Sequence, residues 1–133
     1  MLGLTLAEER HIVVFGIVTD NEIVLVRNPT GNRRGWQLPG GRLSDDEKPI
    51  SGVMRKCRDE VGLEVDEDMI VPVKQILAER TSHMRYTYSF LVRVSREKIL
   101  RLPQWGPHGH EIHVIPRSSL LQFISKGARA LLR

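Results

Sequence analysis

The residues of this sequence best suited to chemistry are two adjacent carboxylates, Asp59 and Glu60, near the end of a predicted amphipathic helix. Lys56 lies on the same helix face, because residues three or four positions apart are neighbours on a helix. Two carboxylates held side by side repel each other unless a positive charge lies between them, and Mg²⁺ prefers oxygen ligands of this kind. Alternatively, both are ordinary surface acids that pair with Lys56 and Arg55. The pair alone leaves a metal site and a solvated helix face both open.

The segment before this helix has the features of a ligand-binding turn. Gly40 and Gly41 form a Gly-Gly turn, which allows the backbone to approach a ligand closely. An acidic loop follows, made of Asp45, Asp46 and Glu47. Turn, acidic loop and helix together predict a site for a charged ligand.

The spacing across residues 41–63 resembles the Nudix box, whose form is G-x5-E-x7-R-E-U-x-E-E-x-G-U, with U a bulky apolar residue. The spacing holds without a gap, and the elements fall on Gly41, Glu47, Arg55, Lys56, Cys57, Asp59, Glu60, Gly62 and Leu63. The preceding Trp-Gln-Leu-Pro-Gly-Gly (residues 36–41) and the later Glu-Ile-His-Val-Ile-Pro (residues 111–116) are also similar to that family. The resemblance to the Nudix hydrolase family therefore covers nearly the whole chain.

This resemblance implies an α/β fold, an α/β/α sandwich around a mixed β-sheet, formed by one domain over residues 1–133. It implies a Mg²⁺-dependent hydrolase, with Mn²⁺ as the other candidate cation, that cleaves a phosphoanhydride bond in a nucleoside diphosphate linked to another moiety. The alternative is a catalytically weakened nucleotide-binding or sensing module of the same fold. Both take a nucleotide-type small molecule as their partner, and either is compatible with a homodimer.

The resemblance also implies roles for individual residues. Glu60 is the first candidate metal ligand, Asp59 the second and the backbone carbonyl of Gly40 the third. Glu47 and Arg55 resemble the loop-to-helix salt bridge of the family, which shapes the site without touching substrate. These five residues are the expected framework of the site.

Two positions depart from the family pattern, and both affect the expected chemistry. Asp59 keeps the charge of the usual glutamate with a shorter side chain, whereas Lys56 replaces a glutamate and reverses its charge. Lys56 is expected either to repel Mg²⁺ or to bind a substrate phosphate as a point charge. The catalytic base is then Glu60 or an acid outside the box, where Glu111 is favoured over Glu79 because it ends a Gly-rich loop.

Further side chains are candidates for substrate contacts. Arg33 and Arg34 precede the Gly-Gly turn and are expected either to clamp a phosphate or a base, or to form a solvated loop. Trp105 is either a lid over a nucleobase or a core aromatic. Both questions depend on where these loops lie.

Other conspicuous residues are expected to be structural. The three histidines around Glu111 are not expected to converge on a metal, and belong to an exposed loop and strand: His108, His110 and His113. Cys57 lies on the apolar stripe of the helix and is predicted to be an inert core thiol. Core positions are also predicted for Tyr86, Tyr88 and Phe90.

The charge distribution bears on nucleic-acid binding. The 133 residues carry a net charge of +4, but residues 96–133 hold seven basic against two acidic residues. Such a basic end is typical of a solvated terminal helix, with nucleic-acid attraction as the alternative. The absence of a long apolar run and of more than one cysteine predicts no membrane span and no internal disulfide, hence a cytoplasmic protein.

The elements that must position these residues follow from hydrophobic periodicity and turn chemistry. Strands are predicted at residues 10–19, 22–27, 70–81, 84–95, 98–102 and 111–115, with a short extended piece at 36–41. Helices are predicted at residues 50–61, ending at Gly62, and from Ser118 or Ser119 to residue 132. Gly52 inside the first helix is expected to weaken it by about 1 kcal/mol relative to alanine.

Overall fold

A computed structural model describes residues 8–30, 35–79 and 83–123, whose strands form one mixed sheet. The strands are β1 (Glu8–Val18), β2 (Glu22–Arg27), β3 (Gly40–Arg42), β4 (Ile70–Glu79), β5 (His83–Arg93) and β6 (Glu111–Pro116). The helical segments are α1 (Pro49–Lys56), a π-helical turn (Cys57–Val61), 3₁₀ helices at Glu67–Met69 and Arg117–Gln122, and α2 (Arg96–Leu100). None of the helices in these ranges is long and apolar enough to cross a membrane.

Strand β1 organises the sheet, whose order is β4-β5-β1-β2-β6. It runs parallel to β5 along its full length, antiparallel to β2 near its C-terminal end, and antiparallel to β3 through its middle residues 12–14. The remaining pairs, β4 with β5 and β2 with β6, are antiparallel. The predicted mixed sheet is confirmed. Strand β3, which contains the Gly-Gly turn, pairs with the central strand β1.

The alternation of side chains along β1 divides the core between the two faces of the sheet. Val13, Phe15 and Ile17 pack towards α1 and the π-helical turn, while Val18 packs on the opposite face against Leu38. The face opposite α1 also receives Leu120 and Phe123, which follow β6. The residues after Phe123 lie outside the described ranges, as does most of the predicted C-terminal helix, and the single domain over residues 1–133 stays a prediction.

Most predicted elements agree with the structure to within a few residues, and the exceptions lie near residue 98 and after Pro116. Residues 98–100 of the segment predicted as a strand at 98–102 belong instead to α2, and Arg101 is the C-cap of that helix. The helix forms because the Ser95 hydroxyl accepts a hydrogen bond from the Lys98 amide (3.3 Å) and caps it. Where a helix is predicted from Ser118 or Ser119, the described residues form a 3₁₀ helix at Arg117–Gln122. The predicted helix at 50–61 is α1 continued by the π-helical turn, and Gly62 ends it at φ 75°.

A salt bridge between Glu47 and Arg55 joins the acidic loop to α1. Arg55 donates from Nε to Glu47 Oε2 at 2.8 Å and from Nη2 to Oε1 at 2.9 Å, and Oε1 also accepts from the Ser44 amide at 3.0 Å. These hydrogen bonds lower the pKa of Glu47 to about 2. The predicted pairing is present, and it fixes α1 relative to β3, since Arg55 also donates to the Arg42 carbonyl.

We expect Gly52→Ala to destabilise the protein, against the helix propensity that favours alanine. A Cβ at Gly52 would lie 2.1 Å from Leu43 Cδ2, and Leu43 packs against the core. The expected loss in the free energy of unfolding is about 1–3 kcal/mol, measured by chemical denaturation. The control, Ser51→Ala on the exposed face of the same helix, is expected to change stability by at most about 0.5 kcal/mol. A gain of stability in Gly52→Ala would contradict this packing.

We expect Glu47→Gln to lower the free energy of unfolding by about 2 kcal/mol at pH 7, because Arg55 loses its charged partner. The pKa of Glu47 is depressed on folding, so its contribution is present above its ordinary value of 4.5 and is lost as the pH falls towards about 2. The stability difference between parent and variant should therefore shrink across that window. Asp45→Asn, in the exposed part of the loop, is the control; a constant difference from pH 7 to pH 2 would contradict the assignment.

Candidate active site

The carboxylate of Glu60 is buried where three segments meet: β3, the π-helical turn and the loop between α2 and β6. Its side chain is 6% exposed, and Oε2 has no hydrogen-bond partner among the described residues. Burial raises the pKa of Glu60 to about 7, while the positive charge of Lys56 and the Gly40 backbone amide act in the opposite direction. Near neutral pH this group therefore exists in both its charged and its protonated form.

The Gly-Gly turn brings backbone rather than side chains against this carboxylate. Gly40 has φ 152°, and a Cβ there would lie 2.2 Å from the carbonyl oxygen of Val13. Only glycine lets β3 lie this close to β1. The preceding Pro39 carbonyl accepts a hydrogen bond from the Phe15 amide at 3.0 Å, which anchors the turn to the sheet.

Lys56 extends over this turn and ends beside Glu60. Its Nζ lies 3.7 Å from Glu60 Oε2, and a Cβ at Gly41 would lie 2.9 Å from the same Nζ. The side chain is 24% exposed, so the ammonium is partly withdrawn from solvent. The ammonium therefore occupies the space between the Gly-Gly turn and the buried carboxylate.

His110 approaches Glu60 from the other side. Its Nε2 lies 3.9 Å from Glu60 Oε1, its Nδ1 is buried without a hydrogen-bond partner in the described part of the chain, and the side chain is 21% exposed. Burial lowers the pKa of His110, and the charges of Lys56 and His108 act in the same direction. The imidazole is therefore neutral at pH 7.

Close packing of the loop on the π-helical turn places His110 there. A Cβ at Gly106 would lie 2.0 Å from the carbonyl oxygen of Glu60, and the Gly106 amide donates to the His110 carbonyl at 2.8 Å. The expectation that all three histidines belong to an exposed loop and strand is therefore wrong for His110. It is correct for His108 and His113, which are exposed.

Two of the predicted site carboxylates are directed towards arginines. Asp59 Oδ2 lies 3.8 Å from Arg55 Nη1. The Glu111 carboxylate accepts hydrogen bonds from Arg27, whose Nε lies 3.0 Å from Oε1, and the Arg27 guanidinium lies 4.4 Å from the ring centre of Trp36. Among the predicted site residues, the structure thus groups Gly40, Lys56 and Glu60 together.

The other candidates fall in several places. Arg33 and Arg34 lie outside the described residues, and for Glu79 only the backbone, at the end of β4, is described. Trp105 is 49% exposed, so it is not a core aromatic. Burial raises the pKa of the Cys57 thiol to about 12, as expected of an inert core residue. The core prediction holds for Phe90, which is buried, and for Tyr88, which packs against the core. Tyr86 is half-buried and stacks on His11 instead.

A divalent cation does not fit the site in this arrangement. Mg²⁺ needs several oxygen ligands around it, and the described residues contain no group of three acidic, histidine or cysteine side chains that could hold a metal. The unpartnered Oε2 of Glu60 is one suitable ligand, but the Lys56 ammonium faces it and Asp59 is directed towards Arg55. The expected Mg²⁺ or Mn²⁺ site is therefore not formed by the described side chains.

Solved structures of NUDIX proteins share this fold. One is a MutT structure from work on the proteins of Aliivibrio salmonicida and Vibrio cholerae, with a TM-score of 0.74, 19% identity and coverage of 94% of both chains. Another is the NUDIX domain of Shewanella oneidensis NrtR in complex with ADP ribose, with a TM-score of 0.75, 15% identity and coverage of 99% of this chain and 89% of that one. At these identities the likeness establishes the fold.

A curated relative is similar over a shorter stretch. The 8-oxo-dGTP diphosphatase of Proteus vulgaris is 31% identical over an alignment of 61 residues that covers 43% of this chain. The chain spans about half (54%) of that protein's length. The sequence also matches the NUDIX domain over residues 9–128, nearly its whole length. With the Glu47–Arg55 salt bridge and the Gly-Gly turn in their expected places, this match establishes that the chain belongs to the NUDIX domain family.

Proposed function

We propose that this chain hydrolyses a phosphoanhydride bond in a nucleoside diphosphate linked to another moiety. The observation that supports this proposal is the buried Glu60 carboxylate, one oxygen of which has no hydrogen-bond partner within residues 8–30, 35–79 and 83–123. This carboxylate lies beside a lysine ammonium and the Gly-Gly turn of a NUDIX domain. A carboxylate with a pKa near neutrality is suited to accept a proton at physiological pH. Its neighbours carry the positive charge and the open backbone that a diphosphate requires.

Each step of the proposed hydrolysis can be assigned to one of these residues. Hydrolysis forms a bond from the water oxygen to one phosphorus and breaks the bond from that phosphorus to the bridging oxygen. The proton that the attacking water gives up passes to the Glu60 carboxylate. Lys56 faces the negative charge that develops on the phosphate oxygens, and the turn at Gly40 leaves space for them. Glu60 is thus the proposed catalytic base.

The other residues expected at the site remain predictions. Glu111 as an alternative base would first have to leave Arg27, and Asp59 as a metal ligand would have to leave Arg55. A metal contact by the Gly40 carbonyl and phosphate contacts by Arg33 and Arg34 are likewise predictions. Mg²⁺ and Mn²⁺ are predicted by the family resemblance, so the assay below includes each of them and a chelator.

We expect turnover of at least one compound in a panel of nucleoside diphosphate derivatives. The panel contains 8-oxo-dGTP, acted on by the similar Proteus vulgaris enzyme, and ADP-ribose, bound by the Shewanella oneidensis NUDIX domain. Unmodified nucleoside triphosphates, nucleotide sugars and dinucleoside polyphosphates complete it. Each compound is incubated with Mg²⁺, with Mn²⁺ or with EDTA, and the products are separated by chromatography. Absence of hydrolysis throughout, or nucleotide binding without turnover, would contradict the proposed function.

We expect Glu60→Gln to lower kcat at least 100-fold on the substrate found, because the amide cannot accept the proton from water. The melting temperature should not fall, because the substitution removes a buried charge while keeping the size of the side chain. Glu64→Gln, an exposed glutamate one helical turn later in sequence, is the matched control and should retain full turnover. Full activity in Glu60→Gln would assign the catalytic base to another residue. Loss of activity in this variant would also show that the measured turnover comes from this chain and not from a contaminant.

A further inference from the structure

The candidate site contains a positive charge where a bound cation would be expected to lie. Resting on the proposed function, we propose that the Lys56 ammonium itself binds the diphosphate of the nucleotide, so that nucleotide binding requires no divalent metal. The ligand class is a nucleoside diphosphate or a compound that contains one. The inference concerns binding, and it follows from the position, the partners and the neighbours of this side chain.

The position of Lys56 is determined by contacts on two sides. The end of the side chain lies over Gly41, where any Cβ would come within 2.9 Å of both Cε and Nζ. On the other side Nζ faces Glu60 Oε2 at 3.7 Å. Because the side chain is only 24% exposed, its ammonium points into the site rather than into bulk solvent.

The ammonium also retains donors for a ligand. A lysine ammonium carries three N–H donors. Among the described residues its ion-pair partner is Glu60, and a separation of 3.7 Å is longer than a normal hydrogen bond. A phosphate oxygen that approaches over the Gly-Gly turn would therefore find a partly desolvated charge with unused donors.

Arg55 and Arg27 are each held by a carboxylate. Arg55 is held by Glu47 through two hydrogen bonds, and Arg27 is held by Glu111 while its guanidinium lies over Trp36. Lys56 differs from both, since the ion pair that it forms within the described ranges, with Glu60 at 3.7 Å, is longer than a hydrogen bond. A compact point charge of this kind is a common ligand for phosphate.

The arrangement of the acids supports the same conclusion. Glu60 presents one oxygen that has no hydrogen-bond partner in the part of the chain that the structure describes. The carboxylate of Asp59 lies near Arg55. A divalent cation in this space would meet a fixed ammonium and one suitable side chain. If the Lys56 ammonium takes the place of the metal ion, no second cation is needed in this space. The diphosphate still has a positive charge beside it.

The test measures binding of ADP and GDP by titration calorimetry, in EDTA and in Mg²⁺ at constant ionic strength. We expect the parent to bind one of them with a Kd that differs by less than about twofold between the two buffers. Lys56→Gln should weaken binding in EDTA by about tenfold or more, because a charge contact to phosphate is lost. Lys56→Arg should retain most of the affinity, and Lys48→Gln, an exposed lysine before α1, is the matched control and should bind as the parent does.

A third substitution at this position, Lys56→Glu, distinguishes binding of the phosphate by the side chain from binding of a metal ion by it. It should bind Mg²⁺ more tightly than the parent does, and it should bind the nucleotide only when Mg²⁺ is present. Circular dichroism and the melting temperature establish that each variant is folded.

Two results would overturn the inference and leave the proposed function standing: binding by the parent only in Mg²⁺, or unchanged affinity in Lys56→Gln. Absence of nucleotide binding in every buffer, together with no turnover of the substrate panel, would instead contradict the proposed function itself.

Discussion

Burial of the Glu60 carboxylate is the constraint on which the rest of the candidate site depends. A charge removed from water is costly unless hydrogen bonds and an opposite charge replace its hydration. Here the replacement is incomplete, since Oε2 has no hydrogen-bond partner among the described residues and Lys56 stays 3.7 Å away. The raised pKa of Glu60 expresses this shortfall. Any group that enters the space beside it alters the balance between its two protonation states.

The burial of Glu60 depends on glycines at which neighbouring segments pack closely against each other. Gly40 lies against the Val13 carbonyl, Gly52 against Leu43, and Gly106 against the carbonyl of Glu60 itself. Each contact would be blocked by a single methyl group. The sheet, the helix and the loop can therefore meet at one carboxylate, while the Glu47–Arg55 salt bridge holds the helix in register with β3.

What the sequence predicts here depends on whether a contact is local. The Glu47–Arg55 pairing and the helix end at Gly62 follow from short spacings on one loop and one helix, and the structure contains both. The approach of His110 to Glu60 joins residues 50 positions apart through the packing of Gly106, and no helical or strand period indicates it.

Competing local signals account for the error near residue 98. The apolar run at 98–102 is too short for its pattern to distinguish a strand from a helix, and Ser95 caps a helix that begins at Arg96. The position of Lys56 could be predicted from the sequence only in part. Its reach to Glu60 is predictable from i, i+4 spacing, whereas its position over Gly41 depends on where β3 lies relative to α1.

The parallel pairing of β1 with β5 has a consequence for how the chain reaches this structure. Every paired position along it, from Glu8 with His83 to Val18 with Arg93, is separated by 75 residues. Contacts this distant raise the contact order and slow folding, because the entropy of closing a long loop is lost before the pairing is gained. During synthesis, β1 can pair first only with β2 and β3, and its Phe15 face stays incompletely covered until β5 has emerged. The strand made first is thus completed late, and the assembly of the sheet is coupled to the progress of translation.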